Sequence, residues 1–465
     1  MHQSLVERMK EESMRMVSID LFSGPGGLCT GFKWAGILPL IAVEWTDTTV
    51  ETYSVTHNAE VFELNEYIVA GKKNKAYLDS FLEDNPKSVL IHGDINLVTN
   101  DMIVSLLKKR FGIACTNDDC VDVVSGGAPC ESFSLAGTRT AGDERDDLFS
   151  NIVRISRAVN TKMILFENVK GMFSKAKDGQ KGAIFNYICD TFEDEKAKPS
   201  YRLASRDQDT ILLKACDYGV PQLRERLFLV SIRRDLENVN FTYPEKEYGP
   251  GRKYPYVTVK DAISDLPKVK MGVTDNKYKT NFTSKNDNQA NFISIVRGER
   301  DDENFHGKAP KHLIEKGLYG PEMLSSHTAP GHIKRKQQLI ALIKPEESMK
   351  EAYERLNKAG KMDDDTRKLF PNTIYASRNR RLHWKEPSFT VTSHCLDEML
   401  HPTIDRAISP REAARLQSFP DWYQFAGPFV QFHGDKVQDR YEQIGDAIPP
   451  LLAYAIAKQL YSALH

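Results

Sequence analysis

The sequence predicts an α/β protein in which short apolar runs of β-prone residues alternate with helical patterns. Three observations carry that prediction. Residues 17–21 lead directly into Phe22-Ser23-Gly24-Pro25-Gly26-Gly27 and then a helical pattern, the strand, glycine turn and helix of a nucleotide-binding opening. Comparable runs recur at 40–43, 89–91, 121–124, 163–166 and 227–230. From about Tyr243 the alternation stops and turn residues and charged irregular stretches take over, including the Lys/Asn/Asp-rich run 268–289.

Length and composition bound the rest. At 465 residues the chain suggests two or three units, here a main domain with a large insertion. With 40% hydrophobic and 27% charged residues, no long apolar run and no signal-peptide core, it reads as a soluble globular protein without a membrane segment. Seven scattered cysteines, at 29, 115, 120, 130, 189, 216 and 395, argue against a disulfide framework and for a reducing compartment. Cys115 and Cys120 lack a partner pair or a His cluster, so no metal is expected. Net charge is −1, but residues 244–380 carry 26 Lys and Arg against 19 Asp and Glu, an excess of 7 that leaves −8 elsewhere. A basic module set into an acidic one is compatible with phosphate contact.

Taken in order, the second run ends in Glu44-Trp45, about 20 residues beyond the glycines, where an acid can hydrogen-bond ribose hydroxyls. A Gly-x-x-x-x-Gly-Lys phosphate loop is missing, so the glycines serve close approach to a neutral or cationic nucleoside. Residues 59–87 are charged and aperiodic, a surface excursion. The third run ends His92-Gly93-Asp94-Ile95, in which Asp94 alone would read as a turn or helix cap. After 121–124 comes Gly126-Gly127-Ala128-Pro129-Cys130-Glu131-Ser132-Phe133-Ser134, which puts one thiol at the exit of a strand, where α/β sheets bind ligands. Cys130 is the candidate nucleophile; the bland reading is a small apolar residue ending a strand. The polar loop beyond it carries Arg139 and Arg145, either phosphate contacts or solvated charges. The run 163–166 ends in Glu167-Asn168-Val169, and a carboxylate there is costly to bury unless used or paired. Residues 218–226 lead into the next strand. Beyond the irregular middle, 345–368 reads as a charged helix and 387–392 as β-like. Ser409-Pro410 is a helix start, and an apolar helix runs through Leu460.

These motifs, in this order, resemble those of the DNA cytosine-5 methyltransferases of bacterial restriction-modification type, over roughly residues 17–232 and 378–462. The resemblance rests on Phe22-x-Gly24-x-Gly26, Pro129-Cys130-x-x-Phe133-Ser134, Asp143-x-Arg145, Glu167-Asn168-Val169, Gln222-x-Arg224-x-Arg226, residues 409–421 and Gly445-Asp446-Ala447-Ile448-Pro449-Pro450. It implies a Rossmann-like, S-adenosylmethionine-dependent methyltransferase fold with an inserted, mostly irregular or β target-recognition domain. Residues 1–243 would begin the catalytic and cofactor-binding domain, 244–377 form the recognition domain and 378–465 complete the first.

The resemblance also implies roles. Phe22, Gly24, Gly26, Glu44, Trp45, Asp94, Ile95, Leu148 and Asp446 would line the cofactor; Cys130, Glu167, Arg224 and Arg226 would be catalytic; Ser134, Arg139 and Arg145 would meet DNA. The thiolate of Cys130 would add to carbon 6 of a flipped-out cytosine, with Glu167 at ring nitrogen 3 and Arg226 at the 2-oxo group. Double-stranded DNA is the implied partner of a monomeric, cytoplasmic bacterial enzyme, with a cognate restriction endonuclease acting separately. Two positions depart from the family: Glu131 replaces a glutamine and Asp446 an asparagine, where altered contacts are expected. A transfer RNA methyltransferase of the same fold is the nearer rival, but its Cys-Phe-Thr signature is missing here. A non-catalytic relative would have lost Cys130, Glu167 or Arg226. A nicotinamide dehydrogenase would have no use for the later motifs.

Overall fold

The computed structural model of the chain describes residues 1–128, 148–177, 180–278, 282–430 and 436–465. Nine strands form its main sheet: β1 (Met16–Leu21), β2 (Ile37–Glu44), β3 (Glu60–Glu63), β4 (Val89–His92), β5 (Val123–Gly126), β6 (Met163–Val169), β7 (Tyr201–Leu203), β8 (Leu212–Lys214) and β9 (Glu225–Arg233). The order across the sheet is β3-β4-β2-β1-β5-β6-β9-β7, with β8 also on β9. Pairing is parallel from β3 to β6, whereas β9 is antiparallel to β6, β7 and β8.

Period-2 alternation explains why the central runs are apolar throughout. In β9, Leu227 and Leu229 enter one core while Phe228, Val230 and Ile232 enter the other; in β6, Ile164 and Phe166 oppose Met163 and Leu165. Both faces are therefore covered. One cover is the closing helix Pro450–Leu464, which lies against Gly27–Trp34: a Cβ on Gly31 would strike Ala453 and the backbone of Pro450 and Tyr454. The chain leaves β1 toward β2 and β4, then returns to the other side of β1 as β5. That reversal makes a topological switch point at the carboxyl ends of β1 and β5, the place where α/β sheets bind ligands.

Several expectations need correction. Residues 59–87 are not only an excursion, since β3 lies within them as an edge strand. Its one fully buried residue is Phe62, and the four-residue strand begins and ends in glutamate, too little apolar pattern to read. Residues 345–368 form two helices, Met349–Lys358 and Asp364–Leu369, separated by left-handed Gly360 and a second cap at Asp363. Residues 387–392 form no strand; Ser388 makes a single bridge with Gln222. The middle segment is irregular as expected, but its regular pieces are mainly short helices, such as Asp287–Val296 and Lys334–Leu342, with only two-residue strands. No helix among the described residues is long and apolar enough to cross a membrane.

The middle segment packs in two parts. Val257, Val259, Phe292, Val296 and Phe305 share a core with Phe32, Leu452 and Ile456, whereas Leu339, Ile340, Met349, Leu356 and Phe370 build a smaller one with Leu400 and Ala407. The first part is fastened by charge. Ser409 caps the helix Pro410–Leu416 through a capping box with Glu412. From that helix the fully buried Arg415 grips both oxygens of Asp421 and reaches Asp265, whose carboxylate also takes Arg297. Burial opposes ionisation of Asp421, but Arg415, with Arg411 and Tyr278, outweighs it and holds the carboxyl below its ordinary range. Removing one member leaves buried charge uncompensated. Arg415→Ala should therefore cost about 3–5 kcal/mol in chemical denaturation; a loss within about 1 kcal/mol, the size of a surface pair, would show that the clamp does not hold the insertion.

Candidate active site

Register aligns the strand ends at the switch point: Leu21 stands beside Val43 and Gly126, Gly126 beside Phe166, and Glu44 beside His92. Beyond β1 the chain turns through positive φ at Phe22 (58°), Gly24 (55°) and Gly26 (98°). Phe22 takes a conformation unusual for a side chain. Gly24 donates its N–H to Glu44 Oε2 (2.9 Å), and Thr46 N–H donates to Glu44 Oε1 (3.0 Å). The Glu44 carboxylate is thereby aimed by backbone on both sides. A Cβ at Gly24 would meet nothing within 4 Å, so the turn faces open space.

Below the turn, a Cβ at Gly26 would strike the His57 imidazole and the Tyr423 hydroxyl; a Cβ at Gly27 would strike the Ile448 carbonyl. Tyr423 in turn donates to the Pro25 carbonyl. The glycines are needed for close approach on two sides, and the return segment supplies part of the support. Nothing in the sequence marks His57 and Tyr423, because they meet across 366 positions. Asp94 caps the short turn Ile95–Leu97 through Asn96 N–H (2.9 Å), as its isolated reading suggested. Ile95 is buried and Leu148 half-buried. Trp45 is 43% exposed, with the Lys436 ammonium 4.6 Å from its ring centroid. Phe22, Gly24, Gly26, Glu44, Trp45, Asp94 and Ile95 thus gather at the ends of β1, β2 and β4. The turn itself, 22–27, holds no Lys or Arg, and its open backbone with one carboxylate suits a nucleoside bearing hydroxyls and positive charge more than a phosphate.

Across the switch point, β5 leaves at Gly126. Cys130, Ser134, Arg139 and Arg145 lie outside the described residues. The segment's start is fixed by Asn168, whose Nδ2 donates to the Ala128 carbonyl (3.0 Å). Glu167 is buried, and its Oε2 lies where a Cβ on Gly127 would come within 2.6 Å. Arg226, on β9 opposite Val169, pairs through Nε with Glu167 Oε1 at 2.9 Å. Burial pushes the Glu167 carboxyl above its ordinary range, against the opposing pull of Arg226 and Arg224. The six described cysteines are Cys29, Cys115, Cys120, Cys189, Cys216 and Cys395. Each has its thiol pushed up by burial, Cys115 and Cys216 to about 11 and Cys189 to about 12, so none is poised as a thiolate.

Arg224 has a different place from the one its motif suggests. Fully buried, it donates from Nη1 to the Val391 carbonyl (2.8 Å) and from Nη2 to the Gly445 carbonyl (2.9 Å). Gln222 donates to the Leu416 carbonyl and to Gln417, and accepts from Val391 N–H. These two residues tie the return segment to the catalytic strands; Arg226 is the one that meets Glu167. Asp446 is exposed, and its Oδ2 accepts from Gln438 Nε2 (3.2 Å).

The family model for C-5 cytosine-specific DNA methylases matches residues 61–462. Type II methyltransferase M.DdeI of Desulfomicrobium norvegicum is 29% identical over 446 residues, covering 95% of this chain and 88% of its own. M.XorII of Xanthomonas oryzae pv. oryzae is 29% identical over 450 residues, covering 97% and 85%. Among solved structures, a DNA modification methyltransferase encoded within an E. coli prophage aligns over 97% of this chain and 99% of its own, with a TM-score of 0.62 at 24% identity, a likeness of fold.

Proposed function

The chain belongs to the C-5 cytosine-specific DNA methylase family, and from that premise we propose how its residues perform the transfer of a methyl group to carbon 5 of cytosine in DNA. The observation that carries the reading is the 2.9 Å Glu167–Arg226 pair, set beside the strand exit that leads to Cys130 and across the switch point from the glycine turn.

Carbon 5 of cytosine is too weak a nucleophile to be methylated directly. The Cys130 thiolate adds to carbon 6, forming a C–S bond and moving the ring's π electrons toward carbon 5, nitrogen 3 and the 2-oxo group. Glu167, whose carboxyl burial pushes above its ordinary range against the pull of Arg226 and Arg224, gives its proton to nitrogen 3 from its protonated form, while Arg226 donates hydrogen bonds to the 2-oxo group. Gly127 leaves room for the Glu167 carboxyl, and Asn168 holds the strand exit. The cofactor is S-adenosylmethionine, which when bound supplies the electrophilic methyl group. Glu44 would accept from its ribose hydroxyls, Phe22 and Trp45 would offer ring faces to the adenine, and Asp94 would take the adenine amino group. Loss of the carbon 5 proton then lets the C–S bond break and frees the thiolate, and the proton on nitrogen 3 returns to the Glu167 carboxylate. Residues 244–377 carry target recognition, a reading supported by their basic excess.

Trapping tests this scheme. Bisulfite sequencing of DNA from cells expressing the chain gives the methylated site; a duplex with 5-fluorocytosine at that site should then stall the enzyme, because fluorine cannot leave as a cation. We expect an adduct that survives denaturing electrophoresis, needs S-adenosylmethionine for its stable methylated form and maps to the peptide containing Cys130. An adduct on another cysteine would move the active site. A methylatable site that forms no adduct would rule out covalent addition.

A further inference from the structure

Asp446 is a charged residue at the point where the return segment meets both Arg224 and the helix that follows the glycine turn. Its backbone is pinned on both sides. Gly445 accepts Arg224 through its carbonyl, and a Cβ there would strike the backbone of Thr392 and Ser393. Two residues on, the Ile448 carbonyl fills the space that a Cβ on Gly27 would take, so the chain from Asp446 runs to the start of the helix that follows the glycine turn. The carboxyl accepts from Gln438, whose own Oε1 accepts from Thr49 Oγ1 (3.1 Å) in the helix Asp47–His57, just beyond Glu44 and Trp45. Asp446 therefore stands between the cofactor turn and the Arg224–Arg226 strand.

We propose that Asp446 makes this enzyme favour the methylated, cationic cofactor over its neutral demethylated product, by supplying a negative charge on the rim of the cofactor turn. The inference rests on the reading of the cofactor as S-adenosylmethionine. That molecule and S-adenosylhomocysteine share adenine, ribose, amino and carboxylate groups; they differ by one methyl group and by one positive charge on sulfur. A carboxylate on the rim acts on that difference, whereas an amide there has no net charge to act with. The charged groups around Asp446 are Arg224 and Arg226 on the neighbouring strand segment, His394 on the adjoining segment and Glu442 on its own helix. Although its surface is open to solvent, the protein packed around the carboxyl, with Glu442, pushes it up to about 6 against the pull of the arginines and His394, so it is ionised at about pH 8. Protonation as pH falls through that value removes the charge and with it the preference.

The test is calorimetric titration of the full chain with each of the two molecules, taking the ratio of their Kd values so that shared groups cancel. At about pH 8, with carboxyls ionised, the wild-type preference for S-adenosylmethionine relative to S-adenosylhomocysteine should exceed that of Asp446→Asn by about tenfold, the size of one charge interaction in a partly solvated cleft. Asp446→Glu should keep most of the preference. The gap between the wild-type and Asn ratios should close as pH drops through about 6, while any pH dependence of the buried Asp20 at the end of β1, whose carboxyl is pushed up to about 7, is common to both and cancels. An Asn ratio equal to wild type, or a gap between the two that does not close as pH falls, overturns the proposal, and Asp446→Ala supplies the same neutral comparison if the Asn variant does not fold. Binding of both molecules with an unchanged ratio defeats the charge proposal alone; failure of the wild type to bind either defeats the cofactor reading as well.

Discussion

Cys130→Ser is expected to lower methyl transfer by about 10³-fold or more, since a serine hydroxyl has no accessible anion at neutral pH to replace a thiolate. Affinity for S-adenosylmethionine should change little, because the residues gathered around the glycine turn come from β1, β2 and β4, before the chain reaches Gly126. No other thiol can take over: the six described cysteines sit in surroundings that raise their pKa values. Single-turnover methylation and cofactor titration on the same preparation separate chemistry from binding. A variant that methylates at a tenth of the parental rate would remove Cys130 from the role of nucleophile.

The parts of the fold that could be read were those buried on both faces. Residues 17–21, 40–43, 89–91 and 163–166 all lie within strands of the main sheet, because a doubly covered parallel strand must be apolar almost throughout. The edge strand β3 and the antiparallel additions β7 and β8 escaped, since three or four residues with half their side chains toward solvent carry no distinctive period. Local chemistry was legible when it was contiguous. Ser409, Pro410 and Glu412 announce a capped helix in any context, and the Phe22–Gly27 turn is equally self-contained. Roles that depend on distant partners were not. Arg224 and Arg226 are two residues apart with identical side chains, yet one buries itself on carbonyls at 391 and 445 and the other meets Glu167. The support of the glycine turn by His57 and Tyr423, and of the insertion by Asp265, Arg415 and Asp421, likewise exists only after folding.

Glu167→Gln should slow transfer by about 10²-fold or more, the usual loss when a charge-stabilising or proton-donating group is removed. Its pH profile should identify the cause. In the parent enzyme the nucleophile must be a thiolate, so the rate rises with pH at the acid side; Glu167 must hold a proton, so the rate falls on the alkaline side. Because burial raises the Glu167 pKa, against Arg226 and Arg224, the protonated form persists above the ordinary carboxylate range and the falling limb lies above it too. Glutamine keeps an N–H donor at every pH but has no proton to transfer. The variant should accordingly be slow yet retain only the rising limb. A glutamine enzyme within about threefold of the parent, or one that keeps the alkaline fall, would mean that nitrogen 3 receives its proton elsewhere and that Glu167 serves chiefly to hold Arg226 in place.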